Sequence, residues 1–325
     1  MPKHHQLSSS PETVHWGFFD AALPPVLTVD SGDTVTLHCV SGAPEDMPGP
    51  PYEVLPELRA IHEAIKPRMR GHILTGPVAV RGAMPGDMLE VRVRAVALRQ
   101  DWGYNVQRPL LGTLPEDFPA LRRMHIPIDR AANTATLPWG TTLPLAPFFG
   151  IMGVAPPPHY GAQSSIEPRE YGGNIDLKEM LPGTTLLLPV WADGALFSAG
   201  DGHGVQGDGE VCLTALETSL SGTFELLLHK NAGLKFPRAL TPTHYITMGM
   251  QPDLDEAAKQ ALRDMIRLIG ELTGLPAADA YTLCSLACDL RVTQLVDGNK
   301  GIHAMLPRTA LPGAKQYPLH SSAQG

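Results

Sequence analysis

A strand–turn–strand pattern occupies residues 72–98, whose sequence is HILTGPVAVRGAMPGDMLEVRVRAVAL. The turn is RGAMPGD, and after it Leu89, Val91 and Val93 alternate with polar or charged side chains. Alternation with a period of two places the apolar residues on one face of a half-buried strand. Residues 24–40, PPVLTVDSGDTVTLHCV, repeat the pattern around a Ser-Gly-Asp turn. The first half of the chain is therefore predicted to be mainly β.

The rest of the chain adds further strands and a helical end. Apolar runs predict strands at residues 184–190, 210–219 and 223–230. Helical spacing of apolar residues, or local composition, predicts helices near residues 54–65, at 253–273 and at 277–291. Asp253 is a suitable N-cap for the long helix, and Gly274 a suitable stop. We therefore predict a mainly β fold with an α+β C-terminal part.

The bulk composition excludes several classes of protein. The 325 residues are 43% hydrophobic and 18% charged, a balance typical of a folded globular protein. The formal net charge is −8 and no run of Lys and Arg occurs, so neither nucleic acid nor an anionic membrane is an expected partner. The four cysteines form no CxxC pair, which favours reduced thiols in a cytosol. The first residues contain no apolar run typical of a signal peptide, and a cytoplasmic location is expected.

The densest group of ligand-type side chains lies in residues 200–210, GDGHGVQGDGE. Asp201 and His203 are two positions apart, and an extended backbone would point both side chains the same way. Asp208 and Glu210 repeat this spacing with two more carboxylates. Carboxylates with a histidine suit Zn²⁺ or Mn²⁺, and an all-oxygen set suits Ca²⁺ or Mg²⁺. The segment predicts a metal site, although Asp-Gly pairs also occur in ordinary surface turns.

Two other segments could add ligands to this site. The sequence GGNID places Asn174 and Asp176 two positions apart after two glycines. His72 stands where a loop enters a predicted strand. An Asx turn and an ordinary surface histidine are the alternative interpretations of these features.

Four stretches together resemble the acetamidase/formamidase family. They occur in the family's order and cover most of residues 15–307: GPVAVRGAMPGDMLEVRV, GGNID, LPV…GALFSAGDGHGVQGDGEVCLTALE and DLRVTQLVDGNKGIHAMLP. The resemblance implies hydrolysis of a small linear amide, of the formamide or acetamide type, to ammonia and a carboxylate. It also implies a jelly-roll-like β-sandwich with smaller β and α/β parts, and a homo-oligomer. Residues 1–325 would form one catalytic unit, with a mainly β region at 1–230 that carries the metal-site loops and an α+β segment at 231–325.

The resemblance also assigns roles to particular residues. A divalent metal, Zn²⁺ in the first place and with a second ion such as Ca²⁺ or Mg²⁺ nearby, would be held by His72, Asp176, Asp201 and His203. The metal would activate a water molecule and polarise the amide carbonyl.

The remaining family-like positions are expected to act on the substrate or to complete the metal site. Glu210 would move the proton from the water to the leaving nitrogen, and Asn174 would hold the substrate amide. Asp208 and Glu217 are additional candidates. If residues 210–217 form one unbroken strand, Glu210 and Glu217 face opposite sides, and we expect Glu210 to be the one at the metal.

Two other interpretations remain open at the level of sequence. The glycine-rich segment could be a closed, structural Ca²⁺ site in a non-enzymatic ligand-binding β-sandwich, whereas an enzyme needs an open metal position and a nearby base. Alternatively, Cys212, beside Glu210, could be the nucleophile of a thiol-dependent amidase.

Overall fold

The computed structural model describes residues 2–318. The strands, in chain order, are β1 (His4–Ser8), β2 (Val14–Trp16), β3 (Phe18–Phe19), β4 (Leu27–Val29), β5 (Thr34–His38), β6 (Ile73–Val80), β7 (Met88–Leu98), β8 (Trp102–Gln107), β9 (Arg122–Asp129), β10 (Thr134–Thr136), β11 (Thr142–Pro144), β12 (Phe148–Gly153), β13 (Gln163–Ser164), β14 (Gly172–Asn174), β15 (Thr185–Pro189), β16 (Phe197–His203), β17 (Leu220–His229), β18 (Arg238–Leu240), β19 (His244–Gln251), β20 (Asp289–Gln294) and β21 (Lys300–Pro307). The α-helices are α1 (Pro56–Ala64), α2 (Leu254–Thr273) and α3 (Ala277–Ala287). Single 3-10 turns lie at Pro44–Asp46, Pro158–Tyr160 and Arg308–Ala310.

Two large sheets pack face to face as a sandwich. One has nine strands in the order β1-β5-β17-β7-β15-β18-β19-β21-β20, and the other has β14-β12-β16-β6-β2, with β4 also paired to β6. Phe224 of β17 packs edge-on against Phe149 of β12 and Phe197 of β16, with ring centroids 5.4 and 5.6 Å apart. Each fully buried side chain of this kind contributes about 1.5–3 kcal/mol through removal from water. The apolar contact between the sheets therefore fixes where β16, the strand of the glycine block, must lie.

The C-terminal helices cover part of the nine-stranded sheet. Helix α2 begins after Asp253, whose side chain accepts from the Glu256 amide, and ends at Gly274 with φ of 78°. It lies so close to β19 that a Cβ at Gly249 would overlap the Ala257 carbonyl, so only glycine fits there. Within residues 2–318, no helix combines the length and the apolar character that a membrane crossing needs.

A smaller layer closes one side of the sandwich. The strands β8 to β11 form a four-stranded sheet in sequence order, and α1 packs against it. Leu58 and Ile61 of α1 are fully buried in a cluster that includes Trp16, Trp102 and Tyr104. This layer brings the ring of Tyr104 to the wall of the main cavity.

The predicted fold class, mainly β with an α+β C-terminal part, is confirmed. The strands on both sides of the 81–87 turn are confirmed as β6 and β7, and the helices near 54–65 and at 253–273 as α1 and α2. The boundary at residue 230 stays a prediction, and the nine-stranded sheet continues across it. Residues 319–325 of the predicted C-terminal segment lie outside the described residues.

Two local predictions were wrong. Residues 210–219 form a loop, because the chain turns at 210–213 and its β-pairing is limited to isolated bridges at Glu217. The helix predicted at 277–291 ends at Ala287, and Asp289 begins β20. The Cys288 amide closes the last helical turn on the Cys284 carbonyl.

Candidate active site

Strand β16 carries the first two site residues. Asp201 and His203 are both on this strand, and their side chains converge as the spacing predicts, with His203 Nε2 3.3 Å from Asp201 Oδ2. His203 is fully buried and Asp201 is 7% exposed. The glycines beside them are packed under neighbouring backbone: a Cβ at Gly202 would lie 2.4 Å from the Thr218 carbonyl oxygen. The glycine block is therefore a tightly packed sheet strand at its start and a loop only after His203.

Strand β12 lies next to β16 and leaves room for a third ligand. The Gly150 carbonyl accepts from the amide of Asp176, which follows β14. A Cβ at Gly150 would lie 2.5 Å from Asp176 Oδ1, 2.7 Å from His203 Cε1 and 2.9 Å from Asp201 Oδ2. The missing side chain at this position thus creates the space in which the three groups meet. Sequence reasoning did not single out Gly150.

The loop after β16 fixes the orientation of His203. Gln206 Oε1 lies 2.9 Å from His203 Nδ1, and Gln206 Nε2 donates to the Asp176 carbonyl at 2.9 Å. Because the amide oxygen accepts, the imidazole carries its proton on Nδ1, and Nε2 is the basic nitrogen. Nε2 is buried and has no hydrogen-bond partner. Gln206 was also missed by sequence reasoning.

Glu210 and Glu217 approach the same imidazole from the loop that replaces the predicted strand. Glu217 Oε1 lies 3.3 Å from His203 Nε2 and accepts from the Ala215 amide at 3.0 Å. Glu210 Oε1 lies 3.9 Å from His203 Nε2. Without a continuous strand, the argument that they face opposite sides no longer applies, and Glu217 is the nearer of the two. We call Asp176, Asp201, His203, Glu210 and Glu217 the His203 cluster.

The backbone around the cluster takes positive φ angles. Asp176, Asp201 and Glu210 have φ angles of 54°, 55° and 47°, in the left-handed region. Asp enters this region more readily than most residues, whereas Glu rarely does, so Glu210 is the strained position. Such conformations persist where the surrounding structure enforces them, and they concentrate at functional sites.

The cluster opens on a cavity of about 680 Å³. Asn174, Asp201, Glu210 and Glu217 line it from the cluster side. Asn174 is 3% exposed, and its Oδ1 has no hydrogen-bond partner. A further acid that sequence reasoning missed, Asp297, also faces the cavity from the connection between β20 and β21. Its sequence, VDGNKG, lies inside one of the family-like stretches, which is the signal that could have identified it.

His72 lies at the edge of the cluster. Its Nδ1 is 3.2 Å from the Ser165 hydroxyl, and its Nε2 is 3.8 Å from Asp201 Oδ2. Its side chain is 28% exposed. Although burial opposes the charged carboxylate, the neighbouring histidines His72 and His203 hold the pKa of Asp201 below its usual range.

Burial and like charge shift the other pKa values upward. Burial raises the pKa of Asp176 to about 6 and that of Glu217 to about 8. Burial, and then the charge on Asp176, raise the pKa of Glu210 well above its usual range. Burial alone would lower the pKa of His203, but the carboxylates of Glu217 and Asp201 raise it well above the ordinary value. The cluster therefore holds more negative charge than its own side chains can stabilise.

This donor set fits a divalent metal ion. The facing nitrogen and oxygen atoms form two overlapping triads, Asp176–His203–Glu210 and Asp201–His203–Glu217, each with all its atoms within 4.8 Å of one another. Ligands about 2.0–2.2 Å from a tetrahedral Zn²⁺ lie roughly 3.3–3.5 Å apart, which matches the separations of His203 Nε2 from Asp201 and Glu217. Neither carboxylate oxygen of Asp176 has a hydrogen-bond partner. The metal and its identity stay a proposal.

Two candidates lie elsewhere. Asp208 points away from the cluster and pairs with Lys178 at 2.9 Å. The Cys212 sulphur accepts from the Asn105 amide at 3.2 Å and lies near Thr214 rather than a histidine. This environment supplies no base for a thiol nucleophile.

Comparisons with known proteins agree on one family. A model of the acetamidase/formamidase family matches residues 3–163 and 159–311. The crystal structure of an acetamidase from Bacillus halodurans is 30% identical and superimposes with a TM-score of 0.81, covering 94% of this chain and 97% of that one. An acetamidase from Yersinia enterocolitica is 28% identical with a TM-score of 0.83, covering 95% and 93%. A formamidase from Methylophilus methylotrophus is 26% identical over an alignment of 255 positions that covers 60% of this chain and 63% of that relative.

Proposed function

The chain belongs to the acetamidase/formamidase family and is an amide hydrolase, and we propose that it cleaves small linear amides of the formamide or acetamide type at the His203 cluster with a bound divalent metal ion. One observation carries the proposal: the unpartnered, fully buried Nε2 of His203 faces carboxylate oxygens of Asp201 and Glu217 at 3.3 Å each. The cluster opens on a cavity, as an active site must and a closed structural ion site need not.

In this proposal the metal ligands are drawn from Asp176, Asp201, His203 and Glu217, with His72 at the cavity edge. A catalytic Zn²⁺ would take three of these side chains and keep one position for water, which leaves the remaining donors for a second ion. When bound, the ion would supply Lewis-acid activation of the carbonyl and of a water molecule, the latter with its pKa lowered towards about 7. Zn²⁺ suits a set of imidazole and carboxylate ligands.

Glu210 is the proposed proton carrier. It is farther from His203 than Glu217 is, and it lines the cavity, so its carboxylate is placed to meet substrate. It would accept a proton from the attacking water and donate it to the leaving nitrogen, because an amide anion is a very poor leaving group. Burial raises its pKa, and a nearby cation would lower it, so the metal brings this group toward a working range.

Asn174 is proposed to orient the substrate. Its Oδ1 lies buried at the cavity wall without a partner. An NH₂ group of a primary amide donates two hydrogen bonds, and this oxygen can accept one of them. Loss of that acceptor would leave an N–H of the substrate unpaired, and the preference for amides over esters would fall.

The cavity is larger than a formamide or acetamide molecule needs. Cavity volume alone therefore admits longer aliphatic amides as well, and the order of preference must be measured. The predicted homo-oligomer and cytoplasmic location stay predictions.

The first experiment measures ammonia release from formamide, acetamide and propionamide, with and without chelation and with Zn²⁺ returned afterwards. Turnover that falls on chelation and recovers with Zn²⁺ is the expected result. Parallel metal analysis and treatment with a thiol reagent separate the alternatives. Turnover by protein shown to hold no metal, together with inactivation by alkylation that Cys212→Ala prevents, would overturn the proposal in favour of the thiol.

A further inference from the structure

A second group of metal-ligand side chains lies outside the His203 cluster. Glu179, Asp208 and His303 each offer a nitrogen or oxygen atom, and these atoms lie within 4.8 Å of one another. They come from three separate segments: the turn after Asp176, the glycine-rich loop before Glu210, and strand β21. None of the three faces the main cavity. We call them the His303 cluster.

The imidazole of His303 is aimed into this cluster, where its Nε2 faces Glu179 without forming a hydrogen bond. His303 is fully buried, and its Nδ1 lies 2.8 Å from the Thr293 hydroxyl. Its Nε2 and the nearby Oε2 of Glu179 are both buried atoms with no hydrogen-bond partner. Native structures leave few such atoms unpaired, so this pair needs an explanation.

The separation of these two atoms favours a shared ion. They lie 3.6 Å apart, which is too long for a hydrogen bond. Two ligands of a tetrahedral Zn²⁺ lie roughly 3.3–3.5 Å apart when each is about 2.0–2.2 Å from the metal. The distance between His303 Nε2 and Glu179 Oε2 is therefore close to that of two atoms that hold one ion.

Two cationic side chains border the cluster. Lys178 Nζ lies 2.9 Å from Asp208 Oδ1, and Arg291 Nη1 lies 3.7 Å from Glu179 Oε1. Each approaches one oxygen of its carboxylate, and a carboxylate has a second oxygen for another partner. Their charges lower the affinity for a cation without occupying the space between Glu179 Oε2 and His303 Nε2.

From these contacts we infer that Glu179, Asp208 and His303 form a second binding site for a divalent cation of the Zn²⁺ type, separate from the proposed catalytic one. The ion joins the segment that follows Asp176 to the loop that precedes Glu210, and anchors both to β21. Its role is to fix the loop of the proposed proton carrier. The role of the ion rests on the proposed function, whereas its binding does not require that the His203 cluster hydrolyses amides or binds a metal.

The test counts zinc ions per chain. Wild-type protein and the variants Glu179→Gln and His303→Gln are stripped with a chelator, reloaded with Zn²⁺, freed of excess metal and analysed by mass spectrometry of the elements. Asp289→Asn is the matched control, because Asp289 also pairs with Arg291, at 3.5 Å, but lies outside the cluster. Circular dichroism confirms that each variant is folded.

We expect Glu179→Gln and His303→Gln each to hold one zinc ion fewer than wild type, and Asp289→Asn to hold the same number. Added Zn²⁺ should also raise the melting temperature less in the two cluster variants, since a ligand that binds only the folded state stabilises it. An unchanged zinc count in both folded cluster variants would overturn the inference. Asp201→Asn, measured alongside, reports on the His203 cluster alone, so failure at either site is seen separately.

Discussion

Two groups of buried charge in this molecule differ in how their charge is balanced. In the first, the Arg238 network, the guanidinium of Arg238 donates to both oxygens of Asp264 at 2.8 Å and to Glu271 and the Tyr317 hydroxyl at 2.8 Å. In the second, the His203 cluster, the ion pairs of the carboxylates lead only to histidines among residues 2–318, and several buried oxygens have no partner.

The difference separates a structural cluster from the proposed functional one. The Arg238 network satisfies itself and joins β18 to α2, so it needs no further component. The His203 cluster gathers carboxylates, three of them at positive-φ backbone positions, around a glycine that leaves space between them. Such an arrangement lowers stability in isolation and is retained where it binds something.

The largest expected effect is a loss of amide turnover when a carboxylate of the His203 cluster is neutralised. Asp201→Asn should lower turnover of the best amide by about a thousandfold or more, because a neutral amide is a much weaker metal ligand than a carboxylate. Asn tolerates the positive φ at this position, so the fold should survive. Ammonia release and circular dichroism check both statements.

The control for this change is Asp193→Asn, an exposed acid on the connection that leads into β16. It should leave turnover within about twofold of wild type, in keeping with a surface position. Asp201→Asn with near wild-type turnover would remove Asp201 from the proposed site.

Substitution in the Arg238 network should lower stability rather than activity. Arg238→Met should lower the free energy of unfolding by about 3 kcal/mol, because it leaves the buried Asp264 carboxylate with only the exposed Arg267 as a partner. Turnover per folded molecule should not change. Urea unfolding followed by circular dichroism measures the loss, and the double variant Arg238→Met/Asp264→Leu should recover much of it.

A surface pair serves as the reference for the Arg238 result. Arg81 and Asp30 are 69% and 54% exposed and 2.9 Å apart. Arg81→Met should cost at most about 1 kcal/mol. An equal loss in Arg81→Met and Arg238→Met would show that burial does not set the difference.

The sequence predicted the strand pairs and the long helix because their signals are local. Alternating residues in β7 and the stripe in α2, with its cap at Asp253, act within one element. The loop at 210–219 was missed because its apolar residues pack into a cavity wall and the core instead of pairing along a ladder. Tertiary contacts determine whether such a segment forms a strand or a loop, and the pattern of its own residues does not.

For the site, the sequence predicted the ligand types but not the full set. Asp201 and His203 were found because they share one strand. Gly150 and Asp297 were missed, since they reach the cluster from strands and loops far away in the chain. Asp208 was misplaced because position 208 shares the spacing of Glu210 while its side chain turns toward Lys178.

In metal-free protein, the His203 cluster should make the free energy of unfolding depend on pH. Burial raises the pKa of Asp176 from 3.8 to about 6 and that of Glu217 from 4.5 to about 8. At these two groups the folded state then binds more protons than the unfolded state, so their contribution to stability should fall as pH rises towards 8. Burial lowers the pKa of His15 to about 4, and this opposes the fall below about pH 6.5 but not above it. The slope is at most about 1.4 kcal/mol per pH unit for each group.

Unfolding of chelated protein in urea at several pH values measures this slope. Glu217→Gln should flatten it above pH 6, and bound Zn²⁺ should remove it, since the metal favours the deprotonated ligands. Burial alone would raise the pKa of Asp33, but hydrogen bonds from the Lys3 amide and from His5 lower it to about 2. Asp33 therefore contributes the opposite slope, and only below about pH 4. The same slope above pH 6.5 in chelated wild-type protein and in Glu217→Gln would contradict the prediction.

The smallest expected effect concerns the residue that orients His203. Gln206→Leu removes the acceptor for Nδ1–H, so the imidazole can rotate and Nε2 loses its fixed direction. We expect zinc affinity to fall about tenfold to a hundredfold, as for other partners of ligating histidines, with the fold intact. Competition with a coloured chelator measures the affinity. Gln163→Leu is the matched control. Gln163 is a glutamine that also donates to backbone carbonyls, those of Tyr160 and Ala162, but it contacts no histidine of the cluster. If both variants bind zinc as tightly as wild type, the backbone alone positions His203. The uncompensated negative charge of the buried carboxylates, and not the orientation of the imidazole, then determines the zinc affinity.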